Sequence, residues 1–234
     1  MKKVAILQSN YIPWKGVFDM INQVDAFVFF EDVDYTSRDW RTRNKIRTSG
    51  DSKWLTVPVK KMPRGTKIFE IKINNDGKWQ KKHKSTISQS YAKAPYFNDY
   101  KWVLDEIYDK DWMSLSDFNI SITKLLCEVI GIKSEFYNSK DILSGGTKDD
   151  KLINICKVIN ADIYLSGPSA KDYIDPDKFH RENIELEYID YSKYHEYKQI
   201  HGGFEHFVSV LDVLFNCGPD SKKYIIGKAN DPIQ

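Results

Sequence analysis

The first thirty residues constrain the fold most. Val4-Ala5-Ile6-Leu7 is a short continuous apolar run closed by the polar turn Gln8-Ser9-Asn10-Tyr11, the pattern of a strand buried on both faces, as in a parallel sheet. Pro13 and Gly16 punctuate the next stretch. Val17, Phe18, Ile21 and Val24 then recur at three- and four-residue steps, a helical stripe. Asp25-Ala26 leads into a second buried run, Phe27-Val28-Phe29-Phe30, which ends at Glu31-Asp32. Strand, turn, helix and strand in about thirty residues make a βαβ unit, whose crossover should be right-handed. The expected fold class is therefore α/β, a mostly parallel, Rossmann-like sheet flanked by helices.

The rest of the chain alternates in the same way. Residues 35–50 are polar and basic, and Trp54–Val59 reads as a strand that stops near Pro58. Ile68–Ile73 alternates like a strand, so the two are expected to pair or lie side by side. Helices are expected over Trp79–Ser90, Tyr100–Tyr108 and Ser116–Ile130, the last closed by Gly131 as a C-terminal cap. A brief strand at Phe136-Tyr137, a helix over Asp149–Ile159 and a buried strand over Asp162–Leu165 follow. Ile184–Ile189 has the alternation of an edge strand, and Phe204–Phe215 reads as a final helix before Cys217-Gly218-Pro219. With no repeat and no obvious linker, the organisation expected is a single α/β domain over 1–234, with a helical insertion at roughly 79–130.

Charge and cysteine usage bound the partners. Thirty-five Lys and Arg against thirty-three Asp and Glu leave a net charge of +2, which supplies no global field for nucleic acid or an anionic membrane. Cys127, Cys156 and Cys217 are far apart and form no CxxC pair. Neither metal-ligand spacing nor a disulfide framework is indicated, and reduced thiols in the cytoplasm are the simplest reading. The apolar stretch after Lys2-Lys3 is too short for a signal peptide, and no run approaches ~18 apolar residues, so no membrane insertion is expected. Six Trp and fourteen Tyr among 234 residues fit either bulky core packing or a wet cleft lined by rings with polar tips.

In an open parallel sheet, ligands bind beyond the carboxyl ends of the strands. Three expected strand-end loops meet that description. The first carries Gln8, Tyr11, Trp14 and Lys15; the second carries Asp32 and a basic run; the third carries Ser166 and Ser169. Gln8 can donate and accept, Tyr11 and Trp14 can stack on a ring, and Lys15 can reach a phosphate. The run RDWRTRNKIR places Arg38, Arg41, Arg43, Lys45 and Arg47 close together, with Trp40 and Asn44 between them. Guanidinium forks suit phosphate or carboxylate, although such a run is more often a solvated face. His83 shares a helical face with Ile87 and Tyr91 and is a candidate general base, as is Asp32. No GxGxxG or GxxxxGKS phosphate loop and no HExxH or HxGH pair is present.

The segments QSNYIPWKGVFDMI and FFEDVDYTSRDWRTRNKI resemble the WbqC-like protein family. Its Gln-x-x-Tyr-x-Pro-Trp-x-Gly-x-Phe turn falls on Gln8, Tyr11, Pro13, Trp14, Gly16 and Phe18. Its later segments fall on Asp32, Val33 and Tyr35, and on Trp40, Arg41, Arg43, Asn44 and Ile46. WLTVPV, SYAKAPYF, YLSGPSAKDYI and SVLDVLFNCGP extend the resemblance over nearly the whole chain. Asp34 departs from a pattern in which a neutral amide is expected. The start of the chain and SGPSAKDY also resemble pantothenate-synthetase-like adenylyl-forming folds, which implies a sheet of the nucleotidyltransferase (HUP-like) type.

The resemblance implies a role in bacterial O-antigen or capsule synthesis, with glycine or aminoacyl transfer to amino sugars. It assigns no catalytic residues. The expectation is an acyl- or aminoacyltransferase acting on a nucleotide-linked amino sugar. Arg38, Arg41 and Arg43 would hold the diphosphate, Tyr11 and Trp14 would face base or sugar, and His83 or Asp32 would take the amine proton. No cofactor is identified and the donor is left open. The partner is a small-molecule nucleotide sugar, with a homodimer allowed. The alternatives are a non-catalytic nucleotide-sugar-binding or assembly protein of the same pathway and, against the near-neutral charge, a nucleic-acid binder.

Overall fold

The computed structural model describes residues 1–142 and 144–226 of the chain. Its strands are β1 (Lys3–Leu7), β2 (Ala26–Phe29), β3 (Arg43–Arg47), β4 (Ser52–Thr56), β5 (Glu135–Asn138), β6 (Ile163–Ser166) and β7 (Glu185–Tyr188). Five of them form an all-parallel sheet in the order β5-β2-β1-β6-β7, and β3 and β4 pair as a separate antiparallel hairpin. Counting only the sheet strands, the order is 3-2-1-4-5, the Rossmann-like arrangement in which the chain reverses direction across the sheet between β1 and β6.

Burial explains the order. Every residue of β2 and β6 is buried, as are Val4, Ala5 and Ile6 of β1, so the three continuous apolar runs take the centre. β5 and β7 carry Glu135, Glu185 and Glu187 and stand at the edges. The side chains alternate between two cores. Ala5, Phe27, Phe29 and Leu165 face a large core with α1 (Lys15–Asn22), α2 (Trp79–Tyr91), α4 (Trp102–Tyr108), α5 (Leu115–Ile130) and α8 (Leu211–Cys217). Val4, Ile6, Ala26, Val28 and Tyr164 face a smaller one with α6 (Lys148–Val158) and α7 (Pro176–Arg181). The remaining short helices are α3 (Phe97–Tyr100) and α9 (Ser221–Ile225).

The α2–α5 helices occupy 79–130 between the hairpin and β5, and Gly131 closes α5 at φ 76°. The helix expected over Tyr100–Tyr108 is α4, which begins at Trp102, and the short α3 precedes it. Two further expectations are corrected. Ile68–Ile73 is a 3-10 turn at Ile68–Glu70 followed by isolated bridges from Lys72 to Ser114 and from Ile73 to Val59, and the partner of β4 is the basic run Arg43–Arg47. Ile68, Ile71 and Ile73 are all fully buried, so this segment crosses the core. Its amides bond to the loops it meets, Ile68 N to Val33 O at 3.0 Å and Ile73 N to Met113 O at 2.9 Å. The helix expected from Phe204 is α8, which is followed by α9 and begins at Leu211. The residues before it are drawn out by other backbone partners, since Ser209 N donates to Lys45 O and Val210 N to Pro13 O, each at 2.8 Å.

Candidate functional site

The reversal between β1 and β6 opens a crevice at the carboxyl ends of the strands, and it has two lobes. One, of about 870 Å³, is lined by Gln8, Asp32, Lys67, Lys148, Lys151 and Lys178 among others. The other, of about 450 Å³, is lined by Trp14, Trp40, Asn44, Ser166, Ser169, Tyr191 and Phe207 among others. Ile6, Leu7, Tyr164 and Tyr173 line both, so the lobes adjoin.

The first lobe is ionic. Lys151 Nζ lies 2.5 Å from Asp32 Oδ2 and donates to Asp32 O at 3.1 Å. Ser139 Oγ donates to Asp32 Oδ1 at 2.6 Å and accepts from the amides of Glu31 and Asp32. Lys67 pairs with Asp34 at 2.7 Å, so the carboxylate that departs from the family pattern has its own cation. Lys178 reaches Asp150 at 3.2 Å. Gly146, Thr147 and Lys148 bring the first turn of α6 to this lobe, where Thr147 makes no side-chain cap. The amide ends of that turn carry partial positive charge. Gly146 sits at φ 93°, a conformation that favours glycine.

The second lobe is built by the turn after β1. Asn44 is buried, and its Nδ2 donates to Ile12 O at 2.8 Å and Tyr11 O at 3.2 Å, while its Oδ1 accepts from Lys45 N. Ile12 is held at φ 36°, an uncommon conformation for a β-branched residue. The fastened turn presents Trp14, whose indole packs 4.9 Å from the ring of Tyr191 and 5.3 Å from Phe207. Gly16 is required there, because a Cβ would come within 2.3 Å of the indole.

Several expected site residues stand elsewhere. Tyr11 is fully buried, and its hydroxyl meets His83 Nδ1 at 2.8 Å and the Tyr108 hydroxyl at 2.5 Å. His83, 5% exposed, lines neither lobe. Burial, and secondarily the charge of Lys82, lower its pKa to about 4, so it is a neutral acceptor in a buried network behind the crevice. Lys15 turns inward as well, because α1 carries it to the core face. Arg38 is exposed at φ 60° and lines neither lobe. The Arg43 guanidinium lies 4.4 Å from the ring centroid of Trp54, on the outer face of the hairpin. Arg41 bonds Gln8 Oε1, Thr36 Oγ1 and Asp39 Oδ2, so it orients the amide that lines the crevice.

The expected triple-arginine clamp is therefore not formed. The alternation of a strand sends Arg43 outward, and Arg41 is committed to its neighbours. The cations at the crevice are Lys67, Lys148, Lys151 and Lys178, none of which stands out in the sequence as a site residue. The signal that could have found two of them is Gly145-Gly146-Thr147-Lys148, a glycine-rich turn at the start of a helix that follows a strand.

Lys15 gives a test of this placement. It is 2% exposed, its Nζ has no hydrogen-bond partner among the described residues, and the rings of Tyr194, Tyr197 and Phe204 surround it at 4.8, 5.5 and 5.6 Å. Burial lowers its pKa to about 8, with Cys217, Asp212 and Glu196 opposing. Between that value and the ordinary 10.5, the unfolded chain holds a proton that the folded chain has released. Stability therefore rises with pH across this window. Lys15→Met is expected to flatten that rise and to stabilise the protein at pH 7 by about 1–3 kcal/mol, the relief of desolvation outweighing the cation–π attraction that the ammonium provides. Denaturation of both proteins from pH 7 to 11 measures it; parallel curves would place Lys15 in solvent.

Among the described residues, no helix is long and apolar enough to cross a membrane, and no group of three or more His, Cys, Asp or Glu could hold a metal ion. No solved structure gives a significant match to the chain. A protein of Mycobacterium tuberculosis (strain ATCC 25618 / H37Rv), described as "Uncharacterized protein Rv1507c", is 41% identical over 227 residues, covering 96% of this chain and 98% of the relative. The model of the WbqC-like protein family matches residues 8–224, from the Gln8 turn to the closing helices. The chain belongs to the WbqC-like protein family.

Proposed function

We propose that the crevice binds a nucleotide-linked amino sugar and that the chain transfers an acyl or aminoacyl group to the sugar's amine. The observation that carries this reading is the union of a lysine-lined lobe with an aromatic, hydroxyl-bearing one at the reversal of the sheet. Lys151, Lys178 and the first turn of α6 suit a diphosphate. Trp14, Phe207, Ser166 and Ser169 suit a ring with hydroxyls. A diphosphate that takes over Lys151 releases Asp32 to accept a proton from the attacking amine. Gln8, whose Oε1 is held by Arg41, keeps its amide N–H groups to polarise the carbonyl. The surface-polysaccharide setting follows from the family resemblance, and a nucleotide-sugar substrate fits a cytoplasmic reaction.

One observation favours a binding protein without catalysis: Asp32 is already engaged by Lys151 and Ser139, and His83 is out of reach. Two measurements separate the readings. UDP- and dTDP-linked amino sugars are expected to stabilise the protein, by about 2.7 kcal/mol at a hundred times the dissociation constant. With candidate donors present, the sugar gains the mass of the acyl group; Asp32→Asn keeps the stabilisation and loses the mass gain. Stabilisation without mass gain over a broad donor panel selects the binding protein, and no stabilisation by any nucleotide sugar rejects both. Lys151→Ala is expected to weaken nucleotide-sugar binding about 10- to 100-fold, as the loss of a charged hydrogen bond to phosphate would. Calorimetry on the variant reads this directly, and an unchanged affinity would remove Lys151 from the phosphate site.

A further inference from the structure

We propose that the outer face of the β3–β4 hairpin docks single-stranded RNA. On the transfer reading above, on which this step rests, the acyl donor is then an aminoacyl ester at the end of that strand. The strand alternation places Asn44, Ile46 and Leu55 in the core and turns Arg43, Lys45 and Arg47 to the other side, with Trp54 directly opposite Lys45 and the Arg47 guanidinium donating to the carbonyl of Gly202. Lys45 Nζ lies 5.3 Å from the centroid of the Trp54 ring, on which Arg43 also lies. Trp40 packs against Trp54 at 5.5 Å, and the two indoles are 48% and 41% exposed. Two large rings left this open to water, with cations against them, form a surface that no other described residue covers.

The charge is local. From residue 38 to 54 there are six Lys or Arg and two Asp, and one of these, Asp39, is bonded to Arg41. The near-neutral total of the chain conceals this segregation.

The geometry selects the occupant. The cations recur every second residue, a step of ~7 Å along the strand, which matches the step between neighbouring phosphates of an extended single strand. A diphosphate is too short to meet the row. Bases stack on exposed indoles without regard to sequence while arginine and lysine track the phosphates. Trp40 also lines the aromatic lobe, so a strand lying on the hairpin can lead its terminal ribose into the crevice. The chemistry then balances without a further reagent. The sugar amine attacks the ester carbonyl, a C–N bond forms and the ester C–O bond breaks. The ribose oxygen leaves as a hydroxyl, taking up the proton that the amine releases.

Fluorescence anisotropy of a labelled, uncharged eight-nucleotide single-stranded RNA with the full chain tests the docking. Three phosphate contacts imply a salt slope of about −2, or roughly 20-fold weaker binding on raising salt from 50 to 200 mM. Lys45→Gln is expected to make the slope shallower by about 0.7, and Trp40→Ala to weaken binding about tenfold. Lys45 lies outside the crevice, so Lys45→Gln retains stabilisation by UDP-sugar, which also shows that the variant is folded. Absence of saturable binding at 50 mM salt, an unchanged slope in Lys45→Gln, or equal competition by an acidic polysaccharide would overturn the docking surface while leaving the nucleotide-sugar site standing. A mass gain on the amino sugar from aminoacyl-RNA supports the donor role. RNA binding without that gain, with nucleotide-sugar stabilisation intact, rejects it.

Discussion

Asn44→Ala is expected to destabilise the protein by about 3 kcal/mol, because a buried amide that bonds two carbonyls and one backbone N–H is removed with nothing to replace it. For a chain of this size that corresponds to a fall of roughly 6–12 °C in Tm. The loss is compounded at Ile12, whose φ of 36° persists only while the turn around it is held. Released, Pro13 and Trp14 drift, and the aromatic lobe loses one wall. Asn44→Asp should do no better, since a carboxylate would face the carbonyls of Tyr11 and Ile12 without a proton to donate. Thermal and urea unfolding of the two variants measure this. A loss below about 1 kcal/mol, an ordinary surface value, would show that the turn holds itself.

The second large effect is on acid stability. His83 titrates near 4 in the folded protein, driven down by burial, against 6.5 when exposed. Between those values the unfolded chain binds a proton that the folded chain refuses, so stability falls as pH drops through this window. The difference is worth about 3 kcal/mol by pH 4. The hydrogen bonds are compatible with the neutral form, since the Tyr11 hydroxyl meets both Nδ1 and the Tyr108 hydroxyl and no carboxylate of a described residue faces the ring there. Glu31 and Asp212 act in the opposite sense, because burial raises both carboxyls and their protonation favours the folded state as acid is added. The comparison is therefore made against His83→Asn, which keeps an acceptor near Nδ1 but does not titrate. The advantage of the native protein over this variant should shrink by about 3 kcal/mol between pH 7 and 4. A constant difference would mean that His83 is solvated.

The parts of the fold legible in the sequence are those whose apolar runs decide burial locally. β1, β2 and β6 read directly because central parallel strands must be apolar on both faces. The hairpin is not legible, because Ile68, Ile71 and Ile73 look like a strand while nothing in Arg43–Arg47 advertises that Ile46 and Asn44 face inward. Only the partner strand and the core behind it decide that. The start of α8 is hidden because Ser209 and Val210 give their amides to Lys45 and Pro13, bonds made across more than 160 residues of chain.

The site divides in the same manner. Gln8, Trp14, Asp32, Ser166 and Ser169 line the crevice because they lie at or after the ends of β1, β2 and β6, a rule the sequence alone can apply. Tyr11 and His83 do not, because a polar tip on an aromatic ring satisfies itself as well in a buried network as at a ligand. Lys178 is invisible in the sequence because a lysine on the polar side of a helix looks like any solvated lysine until the helix is set against the sheet, and Lys151 is marked only by the glycine-rich turn that starts its helix. Asn44 lines the crevice from within β3, and its amide serves to build the turn after β1.

A crystal structure with a UDP-linked amino sugar bound tests the crevice most directly. The diphosphate is expected within hydrogen-bonding reach of Lys151 and Lys178, with a ring of the ligand packed against the exposed side of the Trp14–Phe207 pair. Density for the ligand away from the ends of β1 and β6, or saturating ligand that leaves both lobes empty, would contradict the site and with it the transfer chemistry.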